Sequence, residues 1–240
     1  MSATNTAQRR ENNVSLADEE AVKKVLIDSV LGLWDVVNNL TRLKPSRRER
    51  YRVTIFGSAR AKPGTVAYEE TKRAAKALAA MGCDIITGGG PGLMQAANEG
   101  VDSADGSRSV GIRVDLPFEQ EVNPFVELAY EHRTFFTRLH HFVLASDAFI
   151  VAPGGIGTVL ETMMIWQLLQ VRHLNETPLI LVGKLWPGLV EWVRSSMLSF
   201  ETPLISAGDV NIPICVSSSD EAIAIIRRHC EERGFSKPSH

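Results

Sequence analysis

From Tyr51 onward, short unbroken apolar runs alternate with stretches of helical periodicity, and this alternation most narrows what the chain can fold into. The runs are 52–56, 83–87, 109–114, 148–152, 179–182 and 212–216. Between and after them, helical patterns cover about 66–81, 91–100, 134–145, 157–171, 187–199 and 220–232. Runs this short are strands rather than core helices. Their lack of polar alternation means that both faces are covered. The expected fold is therefore α/β: a doubly wound, Rossmann-like parallel sheet with helices on both faces. In such sheets ligands bind beyond the carboxyl ends of the strands, near the point where the winding reverses. A loop containing Pro117 and Pro124 is expected to join the third strand to the 134–145 helix.

Ahead of this domain, assigned to 51–240, the pattern differs. Residues 1–15 are polar and aperiodic, as in a disordered tail. Residues 16–50 read as a helical extension and linker. Val22, Val25, Leu26, Val30, Leu33, Val37 and Leu40 form one helical stripe, with Ser15 or Asp18 available as the cap. The basic run from Lys44 to Arg52, broken by Pro45, reads as the solvated linker. The stripe needs burial, against its own chain or a second copy, and a homo-oligomer is expected. Asp28 and Asp35 interrupt the stretch, so it is not a membrane span, and the polar start of the chain lacks a signal-peptide core. The 240 residues carry 28 acidic and 26 basic side chains, a formal charge of −2. That balance gives no bulk attraction for nucleic acid or an anionic membrane. Three scattered cysteines, Cys83, Cys215 and Cys230, make neither a disulfide framework nor a metal site. Cys83 and Cys215 are expected to pack as small hydrophobes, and a cytoplasmic location follows from this usage.

Two glycine clusters stand at strand-to-helix junctions. Pro153-Gly154-Gly155-Ile156-Gly157-Thr158-Val159-Leu160-Glu161 follows one strand and opens a helix. Glycines let a backbone approach a ligand closely, and the unpaired N–H groups of a helix start attract an anion, phosphate above all. The alternative is a tight turn with Thr158 and Glu161 as a capping box. Thr87-Gly88-Gly89-Gly90-Pro91-Gly92-Leu93-Met94 is a second junction, with Pro91 suited to a first helical turn. By itself it is equally a crowded turn without a ligand. Two such junctions in one sheet favour a shared nucleotide cleft.

Other chemistries are disfavoured. Neither cluster carries the lysine of a Walker loop, and Leu93 stands where a dinucleotide fingerprint has its third glycine. A pyridoxal enzyme needs an aldimine lysine, yet Lys184 is the only lysine near a strand end and lies outside both motifs. There is no serine nucleophile elbow. His132, His140 and His141 cluster without the cysteines or carboxylates that would complete a zinc site. No metal and no cofactor are expected.

The Pro153–Glu161 segment resembles the signature of the Lonely Guy family, and Gly88 to Met94 resembles its companion motif. The resemblance runs from about Tyr51 to Trp192. Gly111-x-x-Val114-x-Leu116-Pro117-Phe118-Glu119-Gln120 and Phe135-Phe136-x-Arg138 are similar to a longer bacterial branch. The family was long labelled as possible lysine decarboxylases, a label the lysine argument disfavours. Resemblance to it implies hydrolysis of cytokinin riboside 5′-monophosphates, or of AMP, to free base and ribose 5-phosphate. It implies Glu161 and Arg138 as the catalytic pair, with Arg133 as the fallback because Leu139 follows Arg138 where the family has lysine. Gln95 stands where the companion motif commonly has glycine. The nucleotide is expected to meet Ser58, Gly88, Gly89, Gly90, Met94, Gly154, Gly155, Gly157 and Thr158. The same scaffold also serves as a molybdenum-cofactor carrier, so a binding protein is the rival reading.

The implied chemistry passes through an oxocarbenium-like sugar, which a carboxylate stabilises while activating water. Glu161 is expected to be ionised, helped by the helix start and by Arg138. Arg138 serves equally well as a phosphate clamp, and sequence does not separate the two roles.

Overall fold

The computed structural model describes residues 18–40, 49–102, 106–115 and 122–235. The expected 1–15 tail, most of the linker and Pro117 lie outside them. The chain forms two compact units, one up to Arg47 and one from Arg48. In the first, helix α1 spans Glu19–Leu40, and Asp18 caps it, its Oδ1 accepting the Ala21 N–H at 3.0 Å.

The second unit is a seven-stranded parallel sheet. Its strands are β1 (Arg52–Phe56), β2 (Asp84–Thr87), β3 (Ser109–Val114), β4 (Leu128–His132), β5 (Ala148–Val151), β6 (Leu179–Val182) and β7 (Pro213–Val216). They lie in the order β4-β3-β2-β1-β5-β6-β7. The chain winds outward from β1 to β4, returns to the other side of β1 with β5, and winds outward again. The reversal therefore falls between β1 and β5, whose register pairs Ile55 with Ile150 and Phe56 with Val151. That is where ligands collect in such sheets.

Side chains alternate between two cores. Ile55, Ile85, Ile150 and Ile180 face one cluster, covered by α2 (Val66–Ala80) and α8 (Ser219–Glu232). Phe56, Ile86, Ile112, Phe149, Val151 and Leu181 face the other, covered by α4 (Phe135–Ala145), α5 (Ile156–Gln170) and α6 (Trp186–Val193). Helix α3 (Leu93–Asp102) packs beside α2, with Leu93 and Ala96 buried against Tyr68.

Two expectations are corrected. The loop after the third strand contains β4, which pairs Val110 with Leu128 through Val114 with His132. Its sequence Leu-Ala-Tyr-Glu-His is largely exposed, because an edge strand has one sheet neighbour and needs no continuous apolar run. Cys215 is exposed on the outer strand β7, whereas Cys83 and Cys230 are buried. The helix expected over 187–199 is present, α-helical over Trp186–Val193 and π-helical over Arg194–Leu198; a short helix α7, Ala207–Val210, follows. Among the described residues no helix is long and apolar enough to cross a membrane.

Candidate functional site

Both glycine junctions stand at the carboxyl end of the sheet, on the strands that flank β1. Ser58, just past β1, ties them together. Its N–H donates to the Pro153 carbonyl at 3.0 Å, and its own carbonyl accepts the Leu93 N–H at 2.9 Å. Its hydroxyl accepts the Arg60 N–H at 3.1 Å. Gly92 adopts φ +71°, and a side chain there would run into the Ser58 carbonyl.

Helix α5 begins at Ile156, with Gly155 as its N-cap and no side-chain cap. The first helical bond runs from the Val159 N–H to the Gly155 carbonyl, leaving the N–H groups before it without intrahelical partners. Gly155, Ile156 and Gly157 are exposed, so this helix start is open. Thr158 and Glu161 do not form a capping box. A capping box does occur in this chain, at Ser206 and Asp209. Thr158 instead leans back over Gly154, where any Cβ would overlap its side chain.

The remaining glycines divide by what the fold requires. Gly88 makes room for one catalytic candidate and one binding candidate: a Cβ there would stand 2.5 Å from Arg138 Nη2 and 2.6 Å from Met94 Sδ. One on Gly90 would stand 2.9 Å from Met94 Cε. Gly89 has φ +72° and lies against Gly111 and Arg113. At Gly155 and Gly157, by contrast, an added Cβ meets nothing within 4 Å, and neither φ is left-handed. Neither packing nor backbone strain among the described residues demands glycine there, whereas close approach of a ligand would. Gly157→Ala is therefore expected to leave melting unchanged or slightly raised, since alanine favours a helix by up to about 1 kcal/mol. It should raise the Kd for a monophosphate at least ~10-fold; unchanged affinity by calorimetry would remove the ligand argument for this glycine.

Arg138 and Glu161 meet. Arg138 lies on the inward stripe of α4 with Leu139 and Phe142, and Glu161 on that of α5 with Thr158, Thr162 and Ile165. The helical period thus carries two charged residues into positions otherwise filled by core side chains. Arg138 Nη1 stands 3.3 Å from Glu161 Oε1, and each side chain is only 11% exposed. Arg138 Nε donates to the Ile112 carbonyl at 2.9 Å, and its guanidinium lies 5.2 Å from the Phe142 ring centre. Arg133, the fallback, is exposed.

Burial pushes the Glu161 carboxyl up to about 7, against the opposing pull of Arg138. The expectation of a carboxyl lowered by the helix start and by Arg138 is therefore corrected. Desolvation outweighs the arginine and holds the carboxyl well above the usual carboxylate range.

A buried polar network holds the first glycine loop, and sequence reading did not find it. Thr87 Oγ1 donates to Asn98 Oδ1 at 2.7 Å and accepts the Gly89 N–H at 2.9 Å. Asn98 Nδ2 donates to Ser109 Oγ at 2.8 Å. Asn123 Nδ2 reaches both Asn98 Oδ1 and the Gly90 carbonyl at 3.0 Å, and the Asn123 N–H donates to the Gly89 carbonyl at 2.9 Å. Only the polar residue at position 98, inside an otherwise apolar helical stripe, hinted at it. His132 and His141 bond to each other at 2.9 Å near the β4 edge, and among the described residues no group of three or more histidines, cysteines or carboxylates could hold a metal.

No curated protein matches the sequence significantly. Solved structures share the fold. The molybdenum cofactor carrier protein of Chlamydomonas reinhardtii is 18% identical, with a TM-score of 0.58 over 76% of this chain and 99% of its own. The molybdenum cofactor binding protein of Rippkaea orientalis is 21% identical, with a TM-score of 0.57 over 76% of this chain and 98% of its own. The structural-genomics target TM1055 is 21% identical, with a TM-score of 0.54 over 74% of this chain and 99% of its own. At these identities the likeness is one of fold. The sequence pattern of the family described as possible lysine decarboxylase matches residues 94–226, a stretch holding Arg138, the Gly154–Thr158 loop and Glu161. That stretch is more than half of the chain, and the chain belongs to this family.

Proposed function

We propose that the protein hydrolyses the N-glycosidic bond of a nucleoside 5′-monophosphate, AMP or a cytokinin riboside 5′-monophosphate, to free base and ribose 5-phosphate. The observation that carries this reading is the buried Arg138–Glu161 pair, 3.3 Å apart, with Glu161 in the second turn of the helix whose start at Gly155 is open and uncapped by any side chain. The phosphate sits on the N–H groups from Gly155 to Thr158. Its binding energy orients the sugar so that the anomeric carbon faces Glu161. As the bond from that carbon to the base nitrogen breaks, the electron pair leaves with the base and the sugar becomes oxocarbenium-like. Ionised Glu161 stabilises that cation and takes a proton from the attacking water. The new carbon–oxygen bond makes ribose 5-phosphate. The proton held by Glu161 is then available to the departing base, a transfer suited to a group that titrates near 7. Arg138 keeps enough of Glu161 ionised for this at neutral pH.

Incubation with AMP and chromatographic detection of adenine tests the reading. Base release is expected from AMP without added metal, and at least ~100-fold more slowly from adenosine and ATP. Adenosine forfeits the phosphate contact, and ATP brings charge towards Glu161 that no loop lysine offsets. Comparable rates on all three, or a strict magnesium requirement, would refute it. Tight binding of AMP without adenine release would favour the carrier reading instead. The chain is further proposed to work as a homo-oligomer, which light scattering would show as a mass at least twice that of one chain.

A further inference from the structure

One mainly apolar cavity lies away from the Arg138–Glu161 pair. It has a volume of about 310 Å³ and sits between α2 and α8, over the carboxyl ends of β1, β5 and β6. Ile55, Ala74, Ile150, Val182 and Ala222 make its apolar floor and walls. Those strand residues face the α2–α8 core, so the cavity is on the opposite side of the sheet from Glu161. Ala152 and Pro153 also line it, making it the back wall of the phosphate loop.

One end is polar, and its side-chain protons are already used. Ser219 Oγ donates to the Glu70 carboxylate and accepts from Arg73 Nη2 at 2.7 Å. Ser218 Oγ donates to Glu221 Oε1 at 3.1 Å, Ser217 Oγ donates to the same oxygen, and Thr71 Oγ1 donates to the Ala67 carbonyl at 2.7 Å. What this end offers from its side chains is acceptor capacity: spare lone pairs on the hydroxyls and on Glu70. An apolar cavity of about 150 Å³ stays dry and takes benzene, so this one, about twice as large, matches a two-ring molecule.

We propose that this cavity is a second ligand site, for a flat, mainly apolar two-ring molecule carrying an N–H or O–H donor at one edge. The donor meets the Glu70–Ser219 end and the rings lie on Ile55, Ile150 and Val182. Purines fit poorly, because their ring nitrogens would be left unpaired on the apolar walls.

The test uses the full chain and indole as probe, by calorimetry or ligand-observed NMR. Saturable binding with one site per chain and a Kd below ~1 mM is expected. Benzothiophene, of similar shape but without the donor, should bind ~10-fold more weakly, the difference a hydrogen bond to a charged group makes. Adenine should bind at this site more weakly still, its competition against indole serving as the measure. Ala222→Leu, which fills the cavity, should weaken indole at least ~10-fold, and Ala67→Leu, at a half-buried lining position, repeats the experiment if the first variant folds poorly. No saturable indole binding, or binding unchanged in both variants, overturns the site. Equal affinity for indole and benzothiophene overturns the assignment of the donor. Because binding is read directly, the result stands apart from whether AMP is cleaved.

Discussion

Glu161→Gln is expected to lower the rate of adenine release from AMP about 10³-fold while nucleotide binding survives, in the range for loss of a positioned general base. Glutamine has nearly the same shape and still accepts from Arg138, so the 3.3 Å contact and the packing of α5 are kept. It neither takes a proton from water nor balances a cationic sugar. Removal of a negative charge near the phosphate should leave the Kd for AMP unchanged or lower. Calorimetric binding and single-turnover product release separate the two quantities. Full turnover would leave Glu161 no chemical role, since the structure already denies it a role as a cap.

The same substitution has a thermodynamic signature. In the unfolded chain Glu161 titrates near 4.5, and in the folded protein near 7. Between those values the native state holds the extra proton, so this group's contribution to stability is lost as pH rises through that window. Glu161→Gln has no such titration. Its unfolding free energy relative to wild type should therefore improve by on the order of 3 kcal/mol between pH 4.5 and pH 8. Urea unfolding at the two ends checks this; an equal gap at both would mean that burial does not hold the carboxyl up.

The fold was largely legible because its strands are buried on both sides, and the helical periodicity between the runs shows what covers them. Ser109–Val114 and Leu179–Val182 have the same limits in sequence and structure. β4 was not legible, since an exposed edge strand carries no hydrophobic periodicity. The glycine junctions were visible as motifs, but their division of labour was not. That Gly88 makes room for Arg138, while nothing in the fold requires glycine at Gly157, depends on neighbours remote in the chain. Glu161 and Arg138 were found through the family resemblance; their meeting needed two inward helix stripes on the same face of the sheet. The state of the carboxyl was misjudged because sequence displays nearby charges and hides burial.

Arg138→Gln should lower activity on AMP about 10²-fold at pH 7, and the pH profile identifies the cause. Arg138 is the one neighbour that opposes the upward push of burial on Glu161. The wild-type kcat/KM should fall on the acid side with an apparent pKa near 7, because the ionised carboxylate is the active form. The acid limb of kcat should lie higher still, since bound phosphate adds a negative charge that further disfavours ionisation. Loss of the guanidinium removes the stabilising charge and moves both limbs up by about one pH unit or more. Much of the lost activity should then return at pH 9, where Glu161 ionises without help. A phosphate clamp predicts otherwise: KM would rise by a similar factor at every pH, the acid limb would stay in place, and alkali would rescue nothing. Arg138→Lys sharpens the contrast. Lysine keeps the charge beside Glu161 but lacks the planar fork that bonds the Ile112 carbonyl while facing the carboxylate. It should hold the acid limb near its wild-type position at reduced kcat. An acid limb shifted equally by lysine and glutamine would show that the orientation of Arg138, rather than its charge, governs the ionisation of Glu161.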